Sequence, residues 1–384
     1  MLNAVWQFLL EFGPSFIMLL IGGLLIFLAI KKEYEPMLLL PIGFGAILAN
    51  IPGSSAIGEH GFLTVLYNAG IANELFPILI FIGVGAMIDF GPLLRRPFMM
   101  FFGAAAQFGI FATLLAAVYI GQLKGVSWLA PIAEYIPQFS LKEAASIGII
   151  GAADGPTSIY VASLFAPRLL GPISVAAYSY MALVPLIQPP VIRLMTTKKE
   201  RVIRMDHFDE VKVSKTVKIL FPIIVTVVAG FVAPISVALI GALMFGNLVR
   251  ECGVLERLSK SAQNELANLV TILLGITIGS TMVAKEFLSP STLFILAMGL
   301  FAFVFDTAGG VMFAKLLNLF LKNKVNPMIG AAGISAFPMS ARVIHKMGLE
   351  EDPSNYLLMH AVGANVAGQV GSIVAGGVLL ALLQ

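Results

Sequence analysis

Few side chains in this sequence are placed to do chemistry in apolar surroundings, and Asp154 is the most suggestive of them. It lies in Ile149-Ile-Gly-Ala-Ala-Asp-Gly-Pro-Thr157, where Pro156 and the flanking glycines break a helix and free backbone carbonyls and N–H groups. A carboxylate among free carbonyls is a hard-oxygen cage suited to a small cation. The same residue also suits a helix start, since Asp is a good N-cap and Pro a good first helical residue. A second break runs from Asn326-Pro-Met-Ile-Gly330 to Ser335-Ala-Phe-Pro338 and is closed by Arg342. It holds no acid, but Asn326, Ser335 and bare carbonyls are possible cation ligands. The plainer readings are a Ser335 hydroxyl bonded back to its own helix and an Arg342 anchored at the membrane surface. Tyr180 could donate a proton or bind a cation, or anchor a span at the interface as many membrane tyrosines do. Asp306, in Phe305-Asp-Thr-Ala-Gly-Gly310, is a second buried-acid candidate, with Gln107 as its uncharged counterpart upstream. Asn365 and Gln369 could complete an oxygen shell or bond between helices. Glu143, Glu265 and Asp89 fall near expected helix ends, where solvent claims them.

Other chemistries are excluded by what is missing. The four histidines are dispersed, and the single cysteine, Cys252, allows neither an internal disulfide nor a cysteine-rich metal site. There is no P-loop, nucleophile elbow or dinucleotide fingerprint, which argues against an ATP-driven pump. A net charge of +3 is too weak to suggest nucleic acid.

The elements that must position these residues are membrane helices. The 384 residues are 58% hydrophobic and only 12% charged, about half the charged share of a soluble domain, and the mean hydropathy is +0.94. Apolar runs near the roughly 20 residues that cross a bilayer recur at 16–30, 98–121, 173–195, 217–248 and 292–321. The N-terminus has no basic n-region or small-residue cleavage site and is read as lacking a removable signal peptide. Basic residues sort the loops: Lys31 and Lys32, Arg95 and Arg96, seven cations within 198–218, then Arg250, Arg257, Lys260, Lys315, Lys322 and Lys324. Cytoplasmic loops collect Lys and Arg, so these clusters should share one face. The expected crossings are 12–30, 36–51, 75–90, 97–121, 172–193, 216–233, 235–250, 265–284, 291–320 and 354–383, with 52–74 an outer loop. The N-terminus is then outside, and only Lys124, Lys142, Arg168 and Lys285 of the 24 cations fall on that side. Segments 141–170 and 326–347 must each enter and leave on one side, as re-entrant broken hairpins.

The two halves resemble each other. Ile150-Gly-Ala-Ala153 matches Ile329-Gly-Ala-Ala332, Tyr178-Ser-Tyr-Met181 matches Tyr356-Leu-Leu-Met359, and Gly45 to Asn50 resembles Gly241 to Asn247. Five crossings per half is an odd number, so the second copy is inverted. Inverted repeats with broken helices meeting near the midplane mark secondary transporters. The expected organisation is a first repeat over 1–195, a basic cytoplasmic linker over 196–215 and a second repeat over 216–384.

Beyond these readings, the chain resembles a known family, the β subunits of the biotin-dependent, sodium-translocating decarboxylases. Four stretches carry the resemblance: Gly83-Val-Gly-Ala-Met-Ile-Asp-Phe-Gly-Pro-Leu93, Gly103-Ala-Ala-Ala-Gln-Phe-Gly109, Gly151-Ala-Ala-Asp-Gly-Pro-Thr157, and Asn326-Pro-Met-Ile-Gly330 through Arg342. It implies an inner-membrane subunit that decarboxylates carboxybiotin presented by a partner, consumes a proton and exports Na⁺. It further implies that Asp154 is the Na⁺-binding aspartate, that Tyr180 serves ion binding and proton delivery, and that Asn326, Gly330, Ser335 and Arg342 are functional. On this basis Asp154, Asn326, Gly330, Ser335 and Asn365 form the expected Na⁺ set. Asp154, Tyr180, Ser335 and Arg342 form the catalytic set, with Arg342 also meeting the biotin group. The implied partners are a carboxyltransferase α subunit, a biotin carrier subunit or domain, a small single-span γ/δ subunit, and further copies of the chain. The shorter chain is nearer the acyl-CoA type than the longer oxaloacetate type. The alternative is a stand-alone sodium-coupled carboxylate carrier or antiporter, which would co-purify with no biotinyl subunit.

Overall fold

Leucine, isoleucine, alanine and glycine dominate the long segments, and in a bilayer such segments satisfy their backbone only as helices. The computed structural model describes residues 2–122, 136–205, 213–232 and 234–383, and among these the chain is helical with no strand. Lys124 and positions 206–212 of the basic linker lie outside the described residues. The main helices are α1 (Leu2–Lys31), α2 (Pro36–Asn50), α3 (Leu75–Met87) and α4 (Pro97–Gln122). After them come α5 (Leu141–Gly148), α6 (Gly155–Phe165), α7 (Leu170–Ala182) and α8 (Val184–Met195). The second half supplies α9 (Lys215–Val232), α10 (Val237–Glu251), α11 (Ala267–Ser280), α12 (Pro290–Phe320), α13 (Met339–Glu351) and α14 (Leu358–Leu383).

Among the described residues five helices are long and apolar enough to cross a membrane, and up to seven if two bent pairs each count as one span. This differs from the ten crossings expected. The segment 172–193 is not one straight span: α7 and α8 meet at Leu183 with a bend of 69°. Pro185 explains it, because it has no N–H to continue the preceding helix. The expected loop 52–74 contains a helix at Phe62–Leu66 and a wider turn at Tyr67–Ile71, bent 63° from α3. The left-handed Glu74 (φ 65) lies at that corner. At 15 and 14 residues, α2 and α11 are shorter than a simple bilayer crossing.

The helices pack as two groups. In one, α2 lies along α1 and α11, and α3 along α10, which also packs on α9. In the other, α4, α12 and α14 surround the two broken segments. Association in a bilayer depends on close backbone approach at small residues, and the first group shows it at two matched notches. A Cβ at Gly45 would stand 2.2 Å from the Ile276 carbonyl oxygen, and one at Gly279 2.1 Å from that of Ile42. At the α3–α10 crossing a Cβ at Gly85 would stand 1.8 Å from the Leu243 oxygen, and one at Gly246 2.0 Å from that of Ile82. Each notch is closed by a buried asparagine. Asn50 Nδ2 donates to Met282 O at 2.7 Å and its Oδ1 accepts from Ala284 N, just past the end of α11. Asn247 Nδ2 donates to Ile88 O at 2.9 Å, just past the end of α3.

Candidate cation site

The first broken segment begins with a capping box, in which Ser140 and Glu143 each satisfy the other's backbone N–H. Glu143 also pairs with Arg168 at 2.6 Å, which ties the two ends of segment 141–170 together. Helix α5 tightens into a 3₁₀ turn, Ile149–Ala152, and Ala153 then takes a left-handed conformation (φ 54). The chain restarts on Asp154, which is the N-cap of α6. Capping is therefore part of its role, and the cap reading and the cation reading coexist. The buried carboxylate accepts from Thr157 N at 3.3 Å and from Thr157 Oγ1 at 2.7 Å. A third bond is non-local, from Ser372 Oγ on α14 at 2.8 Å.

The second break meets the first directly. Ser335 N donates to Ala152 O at 3.0 Å. Helix α14 joins both through one polar stripe, Asn365, Gln369 and Ser372, spaced so that they share a helix face. Asn365 Nδ2 donates to Ile334 O, Gln369 Nε2 to Ser335 O, and Ser372 to Asp154. Ser335 Oγ in turn donates to Gly368 O at 2.8 Å. Two buried oxygens here have no hydrogen-bond partner, Asn365 Oδ1 and Tyr178 Oη. The Tyr178 ring lies against Gly155, where an added Cβ would stand 2.1 Å from it. Carboxylate, hydroxyl and amide oxygens gathered in a buried site suit a hard alkali cation. Among the described residues no three His, Cys, Asp or Glu side chains cluster, so a softer metal has no ligand set here.

The other expected site residues are placed differently. Tyr180 is half-buried, and its hydroxyl donates to Leu296 O on α12 at 2.5 Å; the tyrosine beside Asp154 is Tyr178, two positions earlier. Asn326 Nδ2 donates to Arg201 O and Ile203 O at 2.8 and 2.9 Å, and its Oδ1 accepts from Met328 N. It thereby pins the linker to the second break, and none of these bonds reaches Asp154. Gly330 lies backbone to backbone with Gly310 of α12. Arg342 is exposed, one turn into α13, and its guanidinium makes no ion pair among the described residues. The acids further along α13 are already paired: Glu350 with Arg193, Glu351 with Arg201 and Asp352 with Arg204. Arg204 and the Ser354 amide hold the Asp352 carboxyl below its usual range.

Asp306 is fully buried, and its oxygens face the Gly109 and Ile110 amides without an aligned hydrogen bond. Those amides begin the second part of α4, beyond its break at Gln107. A helix N-terminus favours negative charge, so Asp306 steadies this break, and Gly151 packs on its other oxygen. Sequence reasoning missed Thr157, Ser372 and Tyr178. The Asp-x-x-Thr spacing and the period of the α14 stripe were the available signals for the first two.

Comparison with known proteins decides the family. The model of the Na⁺-transporting oxaloacetate decarboxylase beta subunit matches residues 14–383. The chain belongs to that family. This β subunit is the membrane component of a Na⁺-transporting decarboxylase. It is 52% identical to a methylmalonyl-CoA decarboxylase subunit beta from Veillonella parvula, over 96% of this chain and 93% of the relative. It is 48% identical to an oxaloacetate decarboxylase beta chain 2 from Salmonella typhi, over 95% of this chain and 94% of the relative. A methylmalonyl-CoA decarboxylase subunit beta from Propionigenium modestum is 47% identical over 96% of this chain.

Proposed function

We propose that this β subunit carries Na⁺ at Asp154 and couples its passage to proton-consuming decarboxylation of a carboxybiotin held by a partner subunit. The observation behind this reading is the Asp154 carboxylate, bonded by Thr157 and Ser372 where both breaks meet. The Thr157 and Ser372 hydroxyls donate to the carboxylate. When Na⁺ arrives they can rotate and offer lone pairs instead. Tyr178 Oη and Asn365 Oδ1, unpartnered and buried, complete an oxygen shell. In this reading Ser335 locks one break to the other and is not the Na⁺ ligand that the sequence suggested. Tyr180 stands on the same helix as Tyr178, facing α12, and serves the proton path in this reading.

Carboxybiotin supplies the CO₂-releasing step, which takes up one proton. Arg342 is the residue fitted to receive its carboxylate, because its guanidinium is exposed and makes no ion pair among the described residues, while Glu350 and Glu351 of α13 are taken. Lys346, one turn further along, extends the same cationic face. A carboxyltransferase α subunit, a biotin carrier and a small single-span γ/δ subunit complete the proposed inner-membrane complex, together with further copies of this chain. Over similar shares of this chain, the Veillonella alignment runs 368 positions and the Salmonella one 419. The oxaloacetate relative thus has insertions that this chain lacks, which favours an acyl-CoA substrate for the complex.

Two inverted repeats, 1–195 and 216–384 flanking the linker 196–215, are part of the proposal. Their support is the exchanged packing of α2 with α11 and α3 with α10, and the matching duties of Asn50 and Asn247. Segments 141–170 and 326–347 are then re-entrant from opposite faces. In a Cys252→Ser background, single cysteines at Gln138 and Arg168 should label from outside only, and those at Lys324 and Lys346 from inside only. Labelling of Gln138 and Arg168 from opposite faces would remove the first hairpin. For the activity, the purified assembly should contain a biotinyl subunit and accumulate Na⁺ in proteoliposomes during decarboxylation. Na⁺ uptake by this chain alone, driven by a carboxylate gradient, would favour the carrier reading instead.

A further inference from the structure

A groove of about 1,210 Å³ runs between α4 and α12, and neither Asp154, Thr157 nor Ser372 is among its lining residues. Its walls include Phe108, Phe111, Met312, Leu316 and Leu319, all of them exposed. Its lining runs from Phe111 and Gly309 at one end to Lys199, Lys315 and Lys324 at the other. Lys315 is engaged by Glu200 at 3.1 Å, whereas Lys199 and Lys324 make no ion pair among the described residues. A second, polar cavity of about 610 Å³ adjoins this end, sharing Ile203 and Lys324. It is lined by Arg96, Arg204, Lys322 and Lys324, with no acid among its lining residues.

We infer that the pair of cavities is a binding site for one anionic phospholipid, with its acyl chains in the groove and its headgroup in the basic cavity. Length argues for a lipid. From Gly309 to Leu319 the α12 wall rises about 15 Å at ~1.5 Å per residue, half of a hydrocarbon core about 30 Å thick. That is the reach of one leaflet. A partner's membrane-spanning helix would need a groove of twice this length. Charge fixes the headgroup class: basic pockets between spans on the lysine-rich side of a membrane recognise anionic lipid. The inference depends on α12 lying in the bilayer and not on the Na⁺ reading of Asp154.

The test uses the purified, delipidated complex and native mass spectrometry with phosphatidylglycerol and phosphatidylcholine of matched acyl chains. Phosphatidylglycerol should be retained at least tenfold better, and glycerol phosphate alone should not displace it. Lys199→Gln with Lys324→Gln should weaken phosphatidylglycerol by about fivefold per lysine, about 25-fold together, and leave phosphatidylcholine unchanged. Ala104→Phe, an exposed lining position outside the core, should expel both lipids. Equal retention of the two lipids would overturn the inference, as would unchanged phosphatidylglycerol binding in both variants. So would a photo-crosslinker at Leu316 that captures a small polypeptide instead of lipid.

Discussion

The two breaks look alike in sequence and differ in what their polar atoms are left to do. At the second, nearly everything is spent on structure. The Ser335 hydroxyl goes to Gly368 O, its amide to Ala152 O, and its carbonyl receives Gln369. At the first, the acid is held by hydroxyls that can turn, with the unpartnered Tyr178 hydroxyl beside it. Charge and adjustable ligands are gathered on one side of the contact, and rigid carbonyl bonding on the other. A transported ion needs a site that can open and close, and in the proposed reading the first break supplies the parts for it.

The largest effect that would break this comparison is at Asp154. Removing one member of a buried charge pair costs about 3–5 kcal/mol, so Asp154→Asn should lower Na⁺ affinity by roughly 100-fold or more. Na⁺-stimulated decarboxylation by the purified complex should fall with it, while gel filtration shows normal assembly. Undiminished Na⁺ stimulation would refute the assignment. Ser372→Ala should follow. It removes an oxygen that this reading turns towards Na⁺; a polar contact to a charged group is worth about 1.5–3 kcal/mol, so the Na⁺ concentration for half-activation should rise roughly tenfold or more. Ser335→Ala, losing a neutral bond worth about 0.5–1.5 kcal/mol, should move half-activation only a fewfold and lower the melting temperature instead. If Ser335→Ala damaged Na⁺ activation more than Ser372→Ala, the division of labour drawn above would be reversed.

The paired tyrosines sharpen the same contrast. Tyr178→Phe should raise the Na⁺ requirement severalfold, because its hydroxyl belongs to the Asp154 side. An idle buried hydroxyl would instead make Tyr178→Phe more stable with an unchanged Na⁺ curve. Tyr180→Phe frees the Leu296 carbonyl and, if Tyr180 serves the proton path, shifts the pH optimum with little change in Na⁺ affinity. Na⁺ activation curves of both variants at several pH values separate these outcomes.

The smallest effect lies outside the membrane, at Asp352. Its folded pKa is held below the ordinary 3.8. The stabilisation is thus present above that value and lost as pH falls through the lowered one. Asp352→Asn should therefore melt slightly below wild type near neutrality, and the gap should close only in strong acid. A gap that persisted there would show that Asp352 acts by something other than its charge.

Much of this site was legible before the structure. A lone acid between Gly and Pro in an apolar run announces a break, and Asp154 proved to be both break and cap. Ser335 and Asn365 stood out as polar groups with no business in hydrocarbon unless bonded, and both bond across the breaks. What sequence does not carry is rotation about a helix axis. Tyr178 and Tyr180 are two residues apart, about 200° around the helix, and only packing decides which one faces the acid. Asn326 was misleading because an amide near a break reads as a ligand, whereas its bonds go to carbonyls of a linker more than a hundred residues away in the chain. The bend at Leu183 was not legible, because hydropathy continues through it and only Pro185 marks it.

The exchanged notches have a consequence for how the chain is made. Gly45 and Gly85 are shaped to lie against Ile276 and Leu243, which the ribosome reaches roughly 200 residues later. At about 5–20 residues per second, that is about 10–40 s. For that interval the first half stands in the bilayer with two bare glycine grooves. Any insertase, quality-control protease or second nascent copy that reads such grooves has its opportunity then, and loses it when α10 and α11 arrive.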